Sequence, residues 1–231
     1  VPRKRRGLCA TYWNPTGSRF VLKRSGDDLF SISVASPPES QGLAEQLRSS
    51  GGWLDVVPGI DSVVVRFDVT RQNAAAAQQA IEAALAAGIE PVTAAEALVE
   101  IPVVYGGEYG PDLEELCREI GMTTDEFIAL HTGSEYSVDM LGFTPGFAFI
   151  GGLDERLRIP RRKEPRLRVD AGSVGIADGR TGLYAMASPG GWTLVGRTPL
   201  RLFDAKAEEP FALRAGTRVR FKPIDASEWG K

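Results

Sequence analysis

Sixteen of the 26 glycines in this 231-residue chain lie between Gly106 and Gly196. Glycine loses more backbone freedom on folding than any other residue, so it weakens the interior of helices and strands alike. A segment this rich in it cannot be built from long helices. It carries short β-rich runs instead: EYSVDMLGF, GSVGIAD, GLYAMA, WTLVG, PLRLFD and TRVRFKPI. Many short strands separated by Gly and Pro indicate a closed or partly closed antiparallel barrel. Two helices are predicted ahead of these runs. IPVVYGGEYGPDLEEL reads as strand, glycine loop and a helix starting at Pro111–Asp112, with Pro at an early helical position. Thr123 to Glu126 has capping-box spacing and opens a helix towards His131.

The first hundred residues have a different texture. DDLFSISV alternates as a strand does, and ESQGLAEQLRSSGG reads as a short helix stopped at Gly51–Gly52. LDVVPGIDSVVVRFDV gives two β-rich runs joined by the turn pair Pro58–Gly59. RQNAAAAQQAIEAALAAG is a helix by propensity, ending at Gly88 where a left-handed cap would fall. The order β-α-β-β-α suggests a split β-α-β sandwich with its helices on one face. Pro91 and the following TAAEALVE read as a linker. The expected fold class is therefore α+β. Residues 19–95 are expected to form a small split β-α-β N-terminal domain, 96–231 the β-barrel, and 1–18, opening VPRKRR, a basic disordered arm.

Composition removes several function classes. A net charge of −3 gives no general attraction to nucleic acid. No run approaches the roughly 18 to 20 apolar residues that span a bilayer. No apolar stretch of about 7 to 15 residues follows the basic start, as a secretory signal would require. No nucleic-acid or membrane partner is expected, and a cytoplasmic location is the default. Cys9 and Cys117 lack metal-ligand spacing. Cys117, in DLEELCREIG, reads as a small buried apolar residue. With one histidine in the chain, zinc chemistry based on several His ligands is excluded, and no metal site is assigned.

YGGEYGPD has neither the Gly-Lys-Ser/Thr ending of a P-loop nor GxGxxG spacing, and there is no GxSxG elbow. His131, in LHTGSEYSV, stands between a helix end and a strand start. It can stabilise the helix terminus, be a satisfied structural histidine, or act as an acid/base or hydrogen-bonding group, with Tyr136 offering a phenolic donor nearby. Between Arg156 and Arg168 lie seven Arg or Lys and one Glu. Such a run is a solvated surface, a grip for a small anionic ligand, or a docking face for an acidic partner. In SPGGWTLVGRTP, two glycines before Trp192 form a tight turn or an anion-binding nest. GFTPGFAFIGG, from Gly142 to Gly152, puts three phenylalanines on a segment unsuited to helix or strand, as a buried loop or the wall of a site.

Taken in order, YGGEYGPDL, HTGSEYSVDMLGFTPGFAFIGGLDERL, IPRRKEPRLRV, AGSVGIADGRTGLY and SPGGWTLVGRTPLRLFD resemble the allophanate hydrolase subunit 1 family. That family includes the Kip sporulation-kinase inhibitor and the B-type subunit of bacterial ATP-dependent 5-oxoprolinase. The resemblance runs from about Ile101 to Phe203, and weakly through VVPGIDSVVVRFD. The chain departs from the family's usual residues at Phe149, Asp170, Arg180 and Ala185.

The resemblance implies a cyclophilin-like barrel and a companion protein like allophanate hydrolase subunit 2 or the C-type subunit of 5-oxoprolinase. It implies a non-autonomous subunit of an ATP-dependent hydrolase that opens 5-oxo-L-proline to L-glutamate. ATP and Mg2+ would be shared with the companion, and no biotin would be attached to this chain. The other activities it implies are a histidine-kinase-inhibiting regulator and a carboxyltransferase subunit of the allophanate hydrolase/urea carboxylase type. For an anionic small-molecule substrate, the expected catalytic residues are His131 for proton transfer, Tyr136 and Arg197. The expected binding residues are Phe143, Pro145, Gly146, Phe147, Arg168, Ser173, Ser188, Pro189, Gly190, Gly191 and Trp192.

Overall fold

The structure of the chain, a computed structural model, describes residues 9–13, 19–92 and 98–229. It divides into two compact units, Val1–Thr93 and Ala94–Lys231.

The first unit runs β1 (Cys9–Trp13), β2 (Arg19–Ser25), β3 (Leu29–Ser33), α1 (Pro37–Ser50), β4 (Trp53–Pro58), β5 (Ser62–Phe67) and α2 (Ala74–Ala87). Its sheet has the order β1-β2-β3-β5-β4. β5 pairs antiparallel with both β3 and β4, so β3 and β4 run parallel on either side of it. This is the expected split β-α-β unit, extended by a β1–β2 hairpin that the sequence reading omitted. The arm expected over 1–18 is thereby corrected at Cys9–Trp13, an edge strand whose Tyr12 donates to Glu82 on α2; residues 1–8 and 14–18 lie outside the described residues.

Local chemistry sets these elements. Ser36 caps α1 through its hydroxyl, two prolines occupy its first turn and Gly51 ends it at φ 69°. Asn73 accepts from the Ala76 N–H at the start of α2. Gly88 ends α2 at positive φ but with ψ 154°, so the chain leaves extended rather than through the left-handed helical cap expected there. Along β5, Val63, Val65 and Phe67 point into the core while Val64 and Arg66 point out. Leu43 and Leu47 of α1 and Ile81 of α2 close over Phe20, Phe30 and Phe67. Each phenylalanine so buried contributes about 2 to 3 kcal/mol.

The second unit runs β6 (Leu98–Tyr105), α3 (Leu113–Ile120), α4 (Thr124–Thr132), β7 (Tyr136–Leu141), β8 (Ala148–Gly151), β9 (Arg166–Val169), β10 (Ser173–Ala177), β11 (Arg180–Leu183), β12 (Ser188–Gly190), β13 (Thr193–Arg197) and β14 (Arg218–Pro223). Seven strands close a barrel in the order β10-β11-β8-β7-β14-β6-β13, and β9 with β12 forms a separate ribbon. The expectation of a wholly antiparallel barrel is corrected at one pair: β14 runs parallel to β6. A ring with an odd number of strands cannot alternate direction all the way round. The linker expected at TAAEALVE is corrected too: Leu98–Glu100 already belong to β6, and 93–97 lie outside the described residues. PLRLFD contributes only an isolated bridge between Phe203 and Phe211.

The capping box of α4 forms as read, with Thr123 and Glu126 satisfying each other's main-chain N–H groups. The glycine loop after β6 lies flat on β13. The Gly106 N–H donates to the Val195 carbonyl at 3.1 Å, and a Cβ at Gly110 would stand 2.1 Å from that same oxygen. Asp112 heads α3 without capping it. Its carboxylate turns into the barrel wall, accepts from the Leu194 N–H at 2.7 Å and pairs with Arg162 at 3.2 Å and Arg166 at 2.5 Å. The β9 ribbon is thereby pinned to the barrel.

Candidate functional site

GFTPGFAFIGG resolves into a tight loop and a strand. The Gly142 N–H donates to the Phe147 carbonyl and the Phe147 N–H to the Thr144 carbonyl, after which β8 begins at Ala148. Gly146 has φ 77°, and a Cβ there would lie 2.9 Å from the Cβ atoms of Ala185 and Phe203, so only glycine follows this path. Phe143 also has positive φ, 68°, and its side chain is 65% exposed. Left-handed backbone at a bulky residue costs about 1 kcal/mol or more and tends to mark functional loops.

This loop forms one side of a cavity of about 270 Å³ lined by Phe143, Phe147, Phe149, Arg161, Pro165, Tyr184 and the run Pro189–Trp192. Phe147 is its centre. Its ring lies 5.5 Å from Phe143, 4.8 Å from Phe149, 4.9 Å from Tyr184 and 5.8 Å from Trp192, mostly edge to face. Phe147, Tyr184 and Trp192, with Phe149 packed against them, belong to a core cluster separate from that of the barrel interior. Arg161 sets its guanidinium 5.7 Å from the Trp192 ring centre and pairs with Asp178 at 2.9 Å.

Beside the cavity, the Tyr184 hydroxyl is closed off from solvent and has no side-chain hydrogen-bond partner. Tyr184 is buried, and the proton of its hydroxyl has no acceptor. A Cβ on Gly190 would stand 2.2 Å from that oxygen, so glycine is required beside it. Burial raises the Tyr184 phenol above its ordinary range, against the opposing pull of the Trp192 N–H and the Arg161 and Arg166 cations. The phenol is neutral and can donate.

Of the expected site residues, Phe143, Phe147, Pro189, Gly190, Gly191 and Trp192 line this cavity, and Gly146 shapes its loop together with Pro145. Ser188 is buried just before the lining run, with its hydroxyl unpartnered, and Ser173 is buried on β10 opposite Arg197. Arg168 is exposed, pairs with Asp170 at 3.2 Å and is not among the lining residues. Arg197 donates to the Ala171 carbonyl and lies over the Trp229 ring. Neither Arg168 nor Arg197 lines this cavity.

His131 and Tyr136 lie away from the cavity lining, buried in the core. His131 is 0% exposed, with its ring 4.4 Å from that of Phe221. Nδ1 lies 2.7 Å from the Tyr105 hydroxyl and Nε2 3.0 Å from that of Thr181. If Tyr105 donates to Nδ1 and Nε2–H donates to Thr181, a neutral imidazole is satisfied at both nitrogens. Burial depresses its pKa to about 3. Tyr136 is buried beside it, donates to the His131 carbonyl at 2.8 Å and has its phenol pushed up to about 12 by the same desolvation. Both are core residues, sealed from any substrate in this structure.

The cationic run is largely self-neutralised. Six of its seven cations pair with Asp154, Glu155, Asp178, Asp112 or Asp170, and of these Arg161 also lines the aromatic cavity. Sequence reasoning missed Phe149, Arg161, Pro165 and Tyr184. The two-residue spacing of Phe147 and Phe149 was a usable signal that both share one face. Nothing in the sequence distinguishes Arg161 from its neighbours.

Among the described residues, no group of three or more His, Cys, Asp or Glu could hold a metal ion, and no helix is long and apolar enough to cross a membrane.

The chain matches the family model "Carboxyltransferase domain, subdomain C and D" over residues 13–213. It is 41% identical over 197 residues to the 5-oxoprolinase B-type subunit of Escherichia coli O157:H7, covering 83% of this chain and 88% of that protein. To the corresponding 5-oxoprolinase B-type subunit of Bacillus subtilis it is 40% identical over 188 residues, covering 77% and 78%. Among solved structures, TTHA0988 superposes with a TM-score of 0.73 at 34% identity, over 85% of this chain but only 40% of that longer one. The Kluyveromyces lactis urea carboxylase gives a TM-score of 0.78 at 20% identity, over 99% of this chain and 24% of that one, which shows a shared fold. The chain belongs to the family of carboxyltransferase subdomains C and D, as a relative of the 5-oxoprolinase B-type subunits.

Proposed function

We propose that this chain is the B-type subunit of a cytoplasmic 5-oxoprolinase, a hydrolase that opens 5-oxo-L-proline to L-glutamate. The observation that carries this reading is the 41% identity to a 5-oxoprolinase B-type subunit, spread over 83% of this chain and 88% of the relative. The cavity's chemistry suits the substrate. Opening a lactam adds water across a resonance-stabilised C–N bond, so the site must hold the ring, limit bulk water and favour negative charge on the carbonyl oxygen. Phe147, Phe149 and Trp192 offer flat apolar walls, and Arg161 offers a guanidinium for the substrate carboxylate.

The companion would be a protein like allophanate hydrolase subunit 2 or the C-type subunit of 5-oxoprolinase, and this chain alone would be inactive. ATP and Mg2+ would be shared with the companion. The glycine loop of this chain is packed on β13 through Gly110. No biotin would be attached to this chain.

The test is to purify the chain with its companion and follow 5-oxoproline-dependent ATP hydrolysis together with glutamate release. A stable pair that shows neither would remove the hydrolase reading.

A further inference from the structure

We propose that Asp178 is the positioning residue that presets Arg161 for the carboxylate of a ligand held in the aromatic cavity, an assignment that rests on the hydrolase reading for its ligand. Asp178 stands at the tip of the β10–β11 hairpin, where the two-residue loop Asp178–Gly179 closes the Ala177–Arg180 pair. Both loop residues have positive φ, 52° and 75°, the tight turn that an Asp-Gly pair favours. From this tip two links reach the cationic run. The Asp178 N–H donates to the Ile159 carbonyl at 2.8 Å, and the Arg161 Nε–H donates to Asp178 Oδ2 at 2.9 Å. One residue thereby fixes the backbone just before Arg161 through its main chain and the guanidinium through its side chain.

The part of Arg161 left unused is the part that suits a ligand. Among the described residues its side chain makes a hydrogen bond through Nε alone, so the Nη1/Nη2 edge makes none. The side chain lines the cavity, is 58% exposed and sets its guanidinium carbon 5.7 Å from the Trp192 ring centre. The free edge carries two parallel N–H donors, the fork that holds a carboxylate bidentately. An unrestrained arginine gives up several rotamers when it grips an anion. One already tied at Nε and laid over an indole gives up fewer, and affinity is gained by that preorganisation.

Two effects of the Asp178 carboxylate oppose each other. As a fixed anion it repels an arriving carboxylate and competes for the same guanidinium. As an anchor it orders the fork before the ligand arrives. Asp178 is 54% exposed, so water and salt screen the repulsion, whereas the restriction on rotamers is not screened. Positioning therefore wins, and loss of Asp178 weakens the binding of a carboxylate. A residue that served only as counterion would have the opposite sign: its loss would tighten binding.

The experiment is calorimetric titration of the full chain, alone and with its companion, using 5-oxo-L-proline and its neutral amide, 5-oxo-L-prolinamide. Asp178→Gly removes the anchor at a positive φ that glycine adopts freely, so the hairpin turn persists. It is expected to weaken 5-oxo-L-proline binding about fivefold, as one side chain left to be immobilised by the ligand requires, and to leave the amide unchanged. Asp178→Asn keeps an acceptor for Nε and tolerates this backbone, and should hold the acid within about twofold of wild type. In an Arg161→Met background, Asp178→Gly should change nothing further. The proposal is overturned by unchanged or tighter binding of the acid in Asp178→Gly, by equal loss of acid and amide, or by failure of the wild type to bind the acid in either form. Turnover of the wild-type pair is read separately. A pair that binds the acid through Arg161 and Asp178 but never opens it removes the hydrolase reading alone, and one whose kcat/KM is unaffected by Asp178→Gly removes the Asp178 assignment alone.

Discussion

Acid should destabilise this protein through His131 before it reaches most carboxylates. The imidazole is fully buried, and desolvation lowers its pKa from 6.5 to about 3. Because the folded value lies below the unfolded one, the unfolded chain binds the proton first. Stability is complete above about pH 6.5, declines as pH falls from there, and the decline ends near pH 3. A gap of roughly 3.5 units at 1.36 kcal/mol each comes to ~5 kcal/mol in total. Between about pH 7.5 and pH 5 the share is ~2 kcal/mol, a substantial part of the 5 to 15 kcal/mol typical of a domain.

The chain has no other histidine, so a second imidazole cannot blur the window. The assay is urea unfolding across this range for the wild type and His131→Gln. The difference between them isolates the imidazole from the carboxylates, and it should change by ~2 kcal/mol in the direction that favours the variant at acid pH. The imidazole C–H resonance of the wild type should meanwhile stay at its neutral position down to about pH 5. A pH-independent difference, or an imidazole that titrates with an ordinary midpoint, would refute the claim that His131 is sealed and neutral.

Two further substitutions probe what holds the site in place. Asp112→Asn removes the charge that Arg162 and Arg166 share and weakens the tie to the Leu194 N–H; with the two arginines partly solvated, the loss should be ~2 to 3 kcal/mol in chemical unfolding, and a change below ~0.5 kcal/mol would show that the β9 ribbon is held by other contacts. Gly146→Ala forces a Cβ into left-handed backbone and against Ala185 and Phe203. It should cost ~2 to 4 kcal/mol and lower ligand affinity by displacing Phe143 and Phe147, whereas a fully stable variant with unchanged affinity would mean the loop relaxes freely.

Where a rule needs only neighbours along the chain, the sequence was a good guide. Thr123 caps the helix it precedes, and Gly51 ends the one before it, because caps close hydrogen bonds within a few residues. The alternation in Val63–Phe67 and the crowding of glycine after Gly106 likewise report backbone geometry directly. Of the site, the aromatic loop and the run ending in Trp192 were legible from their residue types.

Residue type misled where the environment sets the chemistry. His131 carried the expectation of proton transfer because free imidazole titrates near neutrality, yet Phe127, Phe221, Tyr105 and Thr181 enclose it and take that property away. The arginine run suggested a free cationic surface until carboxylates, some next to it in the chain and some distant, paired six of its seven cations. Tyr184 looked like an ordinary strand residue and became a buried hydroxyl without an acceptor.

By itself, then, the sequence determined the short strands, the caps, the glycine-permitted close approaches and the family. Closing the barrel decided which aromatics converge, which arginine reaches them and which titratable groups lose water. Those outcomes depend on pairs as far apart in the chain as Asp112 and Leu194, 82 residues from one another, and desolvation is a property of what surrounds a group in space rather than of its neighbours in sequence.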